Sequence, residues 1–252
     1  MTDPENSHIG VAGCGAMGLP MARALLRAGF DVRGFDIRPP EEFGDFAGRM
    51  VVDPARFGAW CDTLICVVRD IPQIEALCFE EQALFTRPAH PASLIVSSTV
   101  SPRYLHDLHA RLPEGVTLID AHMPLFAAMG KTLHRLGGPG AGMSAKVLNN
   151  FVAATSVVAV RRVLALAAAL GIEAEALLAV MDSSSGQNWY ASRFREIAWA
   201  REEYNPANTI GILEKDVQSF LDALNDGEKA DAAPLPEAVT AALRRLPPVP
   251  DM

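Results

Sequence analysis

The 252-residue chain is predicted to be an α/β protein, a doubly wound parallel sheet followed by an all-helical part built on one long helix. Three observations predict this. Short apolar runs alternate with helical patterns over the first half of the chain, as in repeated β–α units. A glycine-rich turn joins the first apolar run to the first helix. Beyond the glycines of 137–142 no convincing strand pattern appears, and alanine-rich helical stretches take over.

The elements follow in order. His8-Ile9-Gly10-Val11-Ala12 reads as a strand running into the glycine turn, and the helix after it spans 16–28, ending at the C-cap position Gly29. A second strand covers 32–36, and Pro39, Pro40, Glu41 and Glu42 make a polar turn. Residues 49–52 are a short strand candidate, and Asp53-Pro54 has the form of an N-cap followed by proline at the first helical position. The unbroken apolar run 63–68 suits a strand buried on both faces, as does 93–98. Helices at 72–78 and 102–112 and a strand at 116–120 continue the rhythm, with one more strand expected at 131–136. After the glycine break come a helix over 143–170 closed by Gly171, then helices at 173–181, 189–200 and 209–224. Residues 234–252 hold one short helix and a proline-rich tail. Two domains are expected, 1–140 and 141–252.

The turn Gly13-Cys14-Gly15-Ala16-Met17-Gly18 has the spacing that lets a backbone approach a pyrophosphate. Gly13 permits the tight turn, Gly15 leaves room for the phosphates, and Gly18 lets the helix pack close to the strand. The second strand ends in Asp36, where a carboxylate accepts hydrogen bonds from the adenosine ribose. The fold is therefore of the Rossmann type, and the cofactor expected is a nicotinamide dinucleotide. Asp36 favours NAD over NADP because a carboxylate repels a 2′-phosphate, although Arg33 and Arg38 stand close enough to pull the other way.

A net charge of −8 argues against nucleic acid and anionic membrane surfaces as partners. Cys14, Cys61, Cys66 and Cys78 have no metal-ligand or disulfide-framework spacing and read as buried or loop thiols in a reducing compartment. Residues 1–7 are polar and acidic, unlike a signal peptide, and Arg161 and Arg162 interrupt the apolar run 152–170. The expected localisation is cytoplasmic. An alanine-rich helix of this length predicts a close helix–helix contact, within the chain or across a dimer.

A proton must move when hydride moves to or from carbon, and a desolvated lysine can move it. The chain has four lysines against eighteen arginines. Lys146 lies just inside the long helix, with Asn150 one turn further along the same face. An ammonium and an amide so placed can hold a substrate oxygen between them.

Four segments in one order then carry a resemblance: residues 13–22, Ser97-Ser98-Thr99-Val100-Ser101-Pro102, Lys146-Val147-Leu148-Asn149-Asn150, and Lys215-Asp216. Together they resemble the 3-hydroxyacid dehydrogenases of the 3-hydroxyisobutyrate dehydrogenase family, most of all its L-threonate-type sugar-acid members. The resemblance implies a small hydroxy-acid substrate, oxidised at the hydroxyl-bearing carbon, and a homodimer or homotetramer. It implies Lys146 as general acid/base, Asn150 as the substrate-orienting amide, and Thr99 near the nicotinamide ribose. It also places Val68, Arg69 and Gln73 along the cofactor and Lys215 over the nicotinamide. The chain departs from the family after Asp120-Ala121-His122-Met123, where a serine–glycine loop that grips the substrate carboxylate is expected together with a further strand and helix. A strand–helix unit of roughly thirty residues is missing there. The alternatives are cofactor binding without turnover, or an imine reductase-like enzyme, the latter disfavoured by Lys146.

Overall fold

The structure, a computed structural model, describes residues 7–119, 123–134, 136–137 and 140–249. The chain divides into two compact units, Met1–Met143 and Ser144–Met252.

The first unit is a five-stranded parallel sheet of β1 (His8–Ala12), β2 (Asp31–Phe35), β3 (Thr63–Cys66), β4 (Ser93–Val96) and β5 (Thr117–Ile119), in the order β2-β1-β3-β4-β5. Ile9 at the centre pairs with Val32 on one side and Thr63 on the other. Between the strands run α1 (Gly18–Arg27), a 3-10 segment at Pro40–Arg49, α2 (Pro54–Trp60), α3 (Ile71–Cys78) and α4 (Pro102–Arg111), and α5 (Met123–Met129) follows β5. Caps set several of the starts. Asp53 accepts from the backbone of Ala55 and Arg56, Asp70 from Gln73 and Ser101 from Tyr104, each ahead of a proline in the first turn. One core joins Ile9, Val11, Leu25, Val32, Ile65 and Ile95 of the sheet and α1 to Phe43, Phe46 and Leu125.

The strand expected at 49–52 is reduced to a single bridge, Gly34 to Met50, also parallel. The reason is the 3-10 segment, which occupies the chain up to Arg49 and leaves Met50 alone to reach the sheet. Counting that bridge as a strand position, the order becomes the 3-2-1-4-5-6 of the doubly wound dinucleotide-binding sheet. The strand expected at 131–136 is absent among the described residues, which form no regular element there. Asp120, Ala121 and His122, where the sequence departs from the family, lie outside the described residues, as do Gly138 and Pro139 of the glycine break.

The second unit is helical. It comprises α6 (Ala141–Ala169), which begins just before the division, with α7 (Ala174–Ser183), α8 (Trp189–Ser192), α9 (Thr209–Ala223), α10 (Asp226–Ala232) and α11 (Pro234–Leu243). Ala154, Val157, Val160 and Leu164 of α6 pack with Leu178, Tyr190, Phe194, Leu213, Val217 and Leu243. By length and composition α6 would suit a membrane span, but these residues place it in the core of its unit.

Two expectations here need correction. The helix predicted over 189–200 stops at Ser192, because Ala200 is tied down differently. Its carbonyl accepts both the Tyr190 hydroxyl at 2.7 Å and the buried Arg161 guanidinium at 2.8 Å, and the chain between turns irregularly to bring it there. Helix α10 was not anticipated, although Asn225 and Glu228 form a reciprocal capping box at its start.

Candidate functional site

The glycine turn lies at the carboxyl end of β1, where the chain winds out to β2 on one side and later to β3 on the other. Gly13 has φ +88°, and a Cβ there would stand 2.7 Å from the Val67 carbonyl oxygen. A Cβ on Gly18 would collide with the carbonyl oxygen of Gly13. At Gly15 the same construction meets nothing within 4 Å, so this backbone faces open space. No side chain caps α1, and since the Leu19 and Met21 N–H groups donate to the Gly15 and Met17 carbonyls and Pro20 has none, it is the backbone of Gly15 to Gly18 at the helix start that is left to meet an anion. The residues therefore fit a pyrophosphate. Cys14 and Gly18 are buried, whereas Gly15, Ala16 and Met17 are exposed. The Cys14 thiol lies 3.5 Å from the Val11 carbonyl and burial, with Asp36 nearby, pushes it up to about 12. It is packing rather than chemistry.

Asp36 follows β2 and is clamped by Arg38. Arg38 donates through Nε to Oδ1 at 3.0 Å and through Nη2 to Oδ2 at 3.1 Å, and Nη2 also reaches the Cys14 carbonyl at 3.1 Å. Burial would raise the Asp36 carboxyl, but the Arg38 guanidinium and N–H hold it below the usual carboxylate range. Arg33 is elsewhere, stacked over Trp60 at 4.3 Å. Val68 and Arg69 follow β3, with the Arg69 N–H donating to Gln73 Oε1 at 2.9 Å. Thr99 is buried beyond β4, next to Ser98, whose hydroxyl donates to the Val68 carbonyl at 2.5 Å. Thus Asp36, Val68 and Arg69 stand beyond the carboxyl ends of β2 and β3, the strands that flank β1, and Thr99 beyond that of β4, one strand further out.

The second unit gathers a different set. Lys146 and Asn150 lie one turn apart on α6, and Lys215 and Asp216 lie on α9. Phe151 and Phe220, stacked at 4.2 Å, join the two helices beside them. Asn150 Nδ2 donates to Asp216 Oδ2 at 2.9 Å, and Lys215 Nζ stands 3.4 Å from Asp216 Oδ1. Asp216 is 5% exposed, and Oδ1 has no hydrogen-bond partner of good geometry despite that ion pair. Burial pushes its carboxyl up, against the pull of Lys215, Asn150 and Lys146. Desolvation pushes the Lys146 ammonium down to about 8, with Lys215 acting in the same sense and Asp216 opposing. Three expected residues, Lys146, Asn150 and Lys215, are therefore brought together, and the group that joins them is Asp216. The sequence alone gives Asp216 no role beyond its place next to Lys215. Among the described residues no cluster of His, Cys, Asp and Glu has the arrangement of a metal site.

Comparison with known proteins follows this division. Residues 8–125 match a family model described as the NAD binding domain of 6-phosphogluconate dehydrogenase. Residues 140–246 match one described as NAD-binding of NADP-dependent 3-hydroxyisobutyrate dehydrogenase. The L-threonate dehydrogenase of Cupriavidus necator is 30% identical over 247 residues, covering 85% of this chain and 82% of that protein. The NAD-dependent L-serine dehydrogenase of Pseudomonas aeruginosa is 30% identical, with 79% and 74% covered. In fold, the chain is similar to a 3-hydroxyisobutyrate dehydrogenase from Salmonella typhimurium (TM-score 0.75, 22% identity, 94% and 93% covered). It is also similar to that of Mycobacterium tuberculosis (TM-score 0.69, 24% identity, 93% and 91% covered). The sequence alignments are longer than the stretch of this chain they take in by roughly thirty residues, the size of one strand–helix unit. The dinucleotide-type sheet, the glycine turn and these relatives together make the chain a member of the 3-hydroxyisobutyrate dehydrogenase family of 3-hydroxyacid dehydrogenases.

Proposed function

We propose that the protein is an NAD-dependent dehydrogenase of a small 3-hydroxy acid, interconverting it with the oxo acid or semialdehyde. The observation that carries the reading is the Lys146–Asn150–Asp216 arrangement. A lysine held near pH 8 exchanges its proton close to working pH, as a general acid or base must. A bound nicotinamide would supply the hydride acceptor. Lys146 Nζ takes the substrate hydroxyl proton, Asn150 orients the same oxygen, and Asp216 holds the Asn150 amide in position. Lys215 neutralises Asp216, and it is the residue of this set that would lie over a bound nicotinamide.

In this reading the first domain, residues 1–140, holds the cofactor. The turn Gly13-Cys14-Gly15-Ala16-Met17-Gly18 takes the pyrophosphate and Asp36 the adenosine ribose. Val68, Arg69 and Gln73 lie along the cofactor and Thr99 near the nicotinamide ribose. Residues 141–252 hold the substrate and the contact between copies. NAD is favoured over NADP because Arg38 is already engaged by Asp36, and a 2′-phosphate would have to compete with that carboxylate. The substrate class favoured is a sugar acid of the L-threonate type, as for the Cupriavidus necator relative. Four buried free thiols accord with a reducing, cytoplasmic setting.

The test is a spectrophotometric screen of 3-hydroxy acids with NAD and NADP. L-threonate, L-serine and 3-hydroxyisobutyrate should include at least one substrate, and Lys146→Ala should abolish its turnover. Cofactor binding with no turnover across the panel would favour the second reading, a binding protein without activity. The specific observation behind that alternative is the roughly thirty-residue shortfall against the relatives.

A homo-oligomer is proposed from α6. Leu148, Val152, Ala159, Val163, Leu166 and Leu170 make an exposed stripe at three-, four- and seven-residue steps, on the face opposite the core. Light scattering should give a dimer or tetramer, and Leu166→Glu should shift it towards monomer. A wild-type monomer would refute this.

A further inference from the structure

We propose that the helical unit carries a second ligand site, separate from Lys146, that binds a small organic anion through arginine side chains. A cavity of 380 Å³ opens between α6 and α11, within the range of small-molecule sites. Its walls are apolar, with Val158, Ala238 and Leu246 among them. Three arginines also line it: Arg161 and Arg162 from α6, and Arg245 just beyond α11. Among the described residues no aspartate or glutamate does.

Among the described residues the charges of these arginines meet no carboxylate. Arg161 is 4% exposed, and its donors go to the neutral carbonyls of Ala200, Glu202 and Pro247. The side chains of Arg162 and Arg245 make no hydrogen bond or ion pair with any described residue. Neighbouring arginines differ. Arg244 is paired with Glu214, and Arg195 with Glu175. On a chain of net charge −8, three guanidiniums around one cavity with no carboxylate among its described lining residues make a local positive well.

Guanidinium forks match the oxygens of carboxylates and phosphates, and low-dielectric walls strengthen the attraction. The ligand class is therefore an anionic head, carboxylate or phosphate, on a compact apolar body. Arg161 lies fifteen residues beyond Lys146 on one continuous helix, about 22 Å at 1.5 Å per residue, so this anion does not share the hydroxy-acid site.

The test is calorimetric titration of the full chain at low salt with sodium hexanoate and with hexyl phosphate, and with hexanol as the uncharged control. The two ionic probes separate carboxylate from phosphate preference. Arg161 is left in place because it ties backbone segments together, and the double variant R162A/R245A removes the two exposed guanidiniums. The expected result is saturable binding of at least one ionic probe, none of hexanol, and binding at least about tenfold weaker in the double variant. Absence of saturation by both ionic probes up to about 10 mM, or equal binding by the variant, would overturn the proposal. A fall in oligomeric mass of the double variant in light scattering would also overturn it, by assigning the arginines to contact between copies. Hydroxy-acid turnover is a separate readout and should be the same in both proteins.

Discussion

Replacing Asp216 with asparagine tests the chemistry of the cluster most directly. The substitution keeps the shape and an oxygen to accept the Asn150 amide, but removes the negative charge. Asp216 opposes the desolvation that lowers Lys146, so losing its charge must lower Lys146 further, and Lys215, no longer neutralised, pushes the same way. Lys146 lies one helical turn, about 5.4 Å, from Asn150, which donates to Asp216 at 2.9 Å, so a separation on the order of 7 Å is used for the two charges. At an effective dielectric near 20 that separation corresponds to about 2 kcal/mol, and solvent screening at a partly exposed lysine reduces the effect to about one pKa unit. In oxidation the base must be unprotonated, so kcat/KM rises with pH through the Lys146 midpoint, near 8 in the wild type. Asp216→Asn should move that acid limb to lower pH by about one unit. Asp216→Ala should move it similarly and also lower kcat, because the Asn150 amide loses its holder. An acid limb that stays in place, or moves upward, would refute this account of the cluster.

Gly18→Ala places a methyl against the Gly13 carbonyl oxygen, a backbone atom that cannot swing aside. It should cost about 1–3 kcal/mol in urea unfolding and weaken NAD in a fluorescence titration; unchanged values would refute the close-packing argument. Asp36→Ala removes the ribose acceptor and releases Arg38, so kcat/KM should fall with NAD and rise with NADP, changing their ratio by at least about tenfold. A ratio that does not change would show that Asp36 does not set the preference. Arg161→Met keeps most of the bulk but leaves the carbonyls of Ala200, Glu202 and Pro247 short of a donor. Chemical denaturation should show a loss of about 2–4 kcal/mol, and a change below about 0.5 kcal/mol would refute the clamp.

What the sequence made legible follows from the range of the forces involved. Strands β3, buried throughout, and β4, buried at its two central residues, were readable because their apolar runs are continuous and bounded by turn chemistry. The glycine turn was readable because its geometry is local, an inward carbonyl and a positive φ within six residues. The pair Lys146 and Asn150 was readable because one helical turn joins them. Asp216 was not, since its contact with Asn150 spans sixty-six positions and needs α9 laid against α6. The same limit explains the overlong helix at 189–200. Its sequence tolerates a helix, but Tyr190 and Arg161 draw the Ala200 carbonyl out of one, and Arg161 is thirty-nine residues away. The strand expected at 131–136 is absent among the described residues for a different reason: its apolar side chains there, Leu133 and Leu136, are both exposed and give the segment no buried face to pair on.

The margins of the sheet have a consequence for handling the protein. A sheet that ends on an uncovered edge strand offers a long, sticky border for association. Here the border is β5, only three residues long, and the opposite border is closed by the single rung at Met50 behind the prolines at 39 and 40. Among the described residues neither offers enough unpaired backbone to template a cross-chain ladder. Concentrated preparations should therefore resist fibrillar association through the sheet, and any self-association should travel through the apolar stripe of α6.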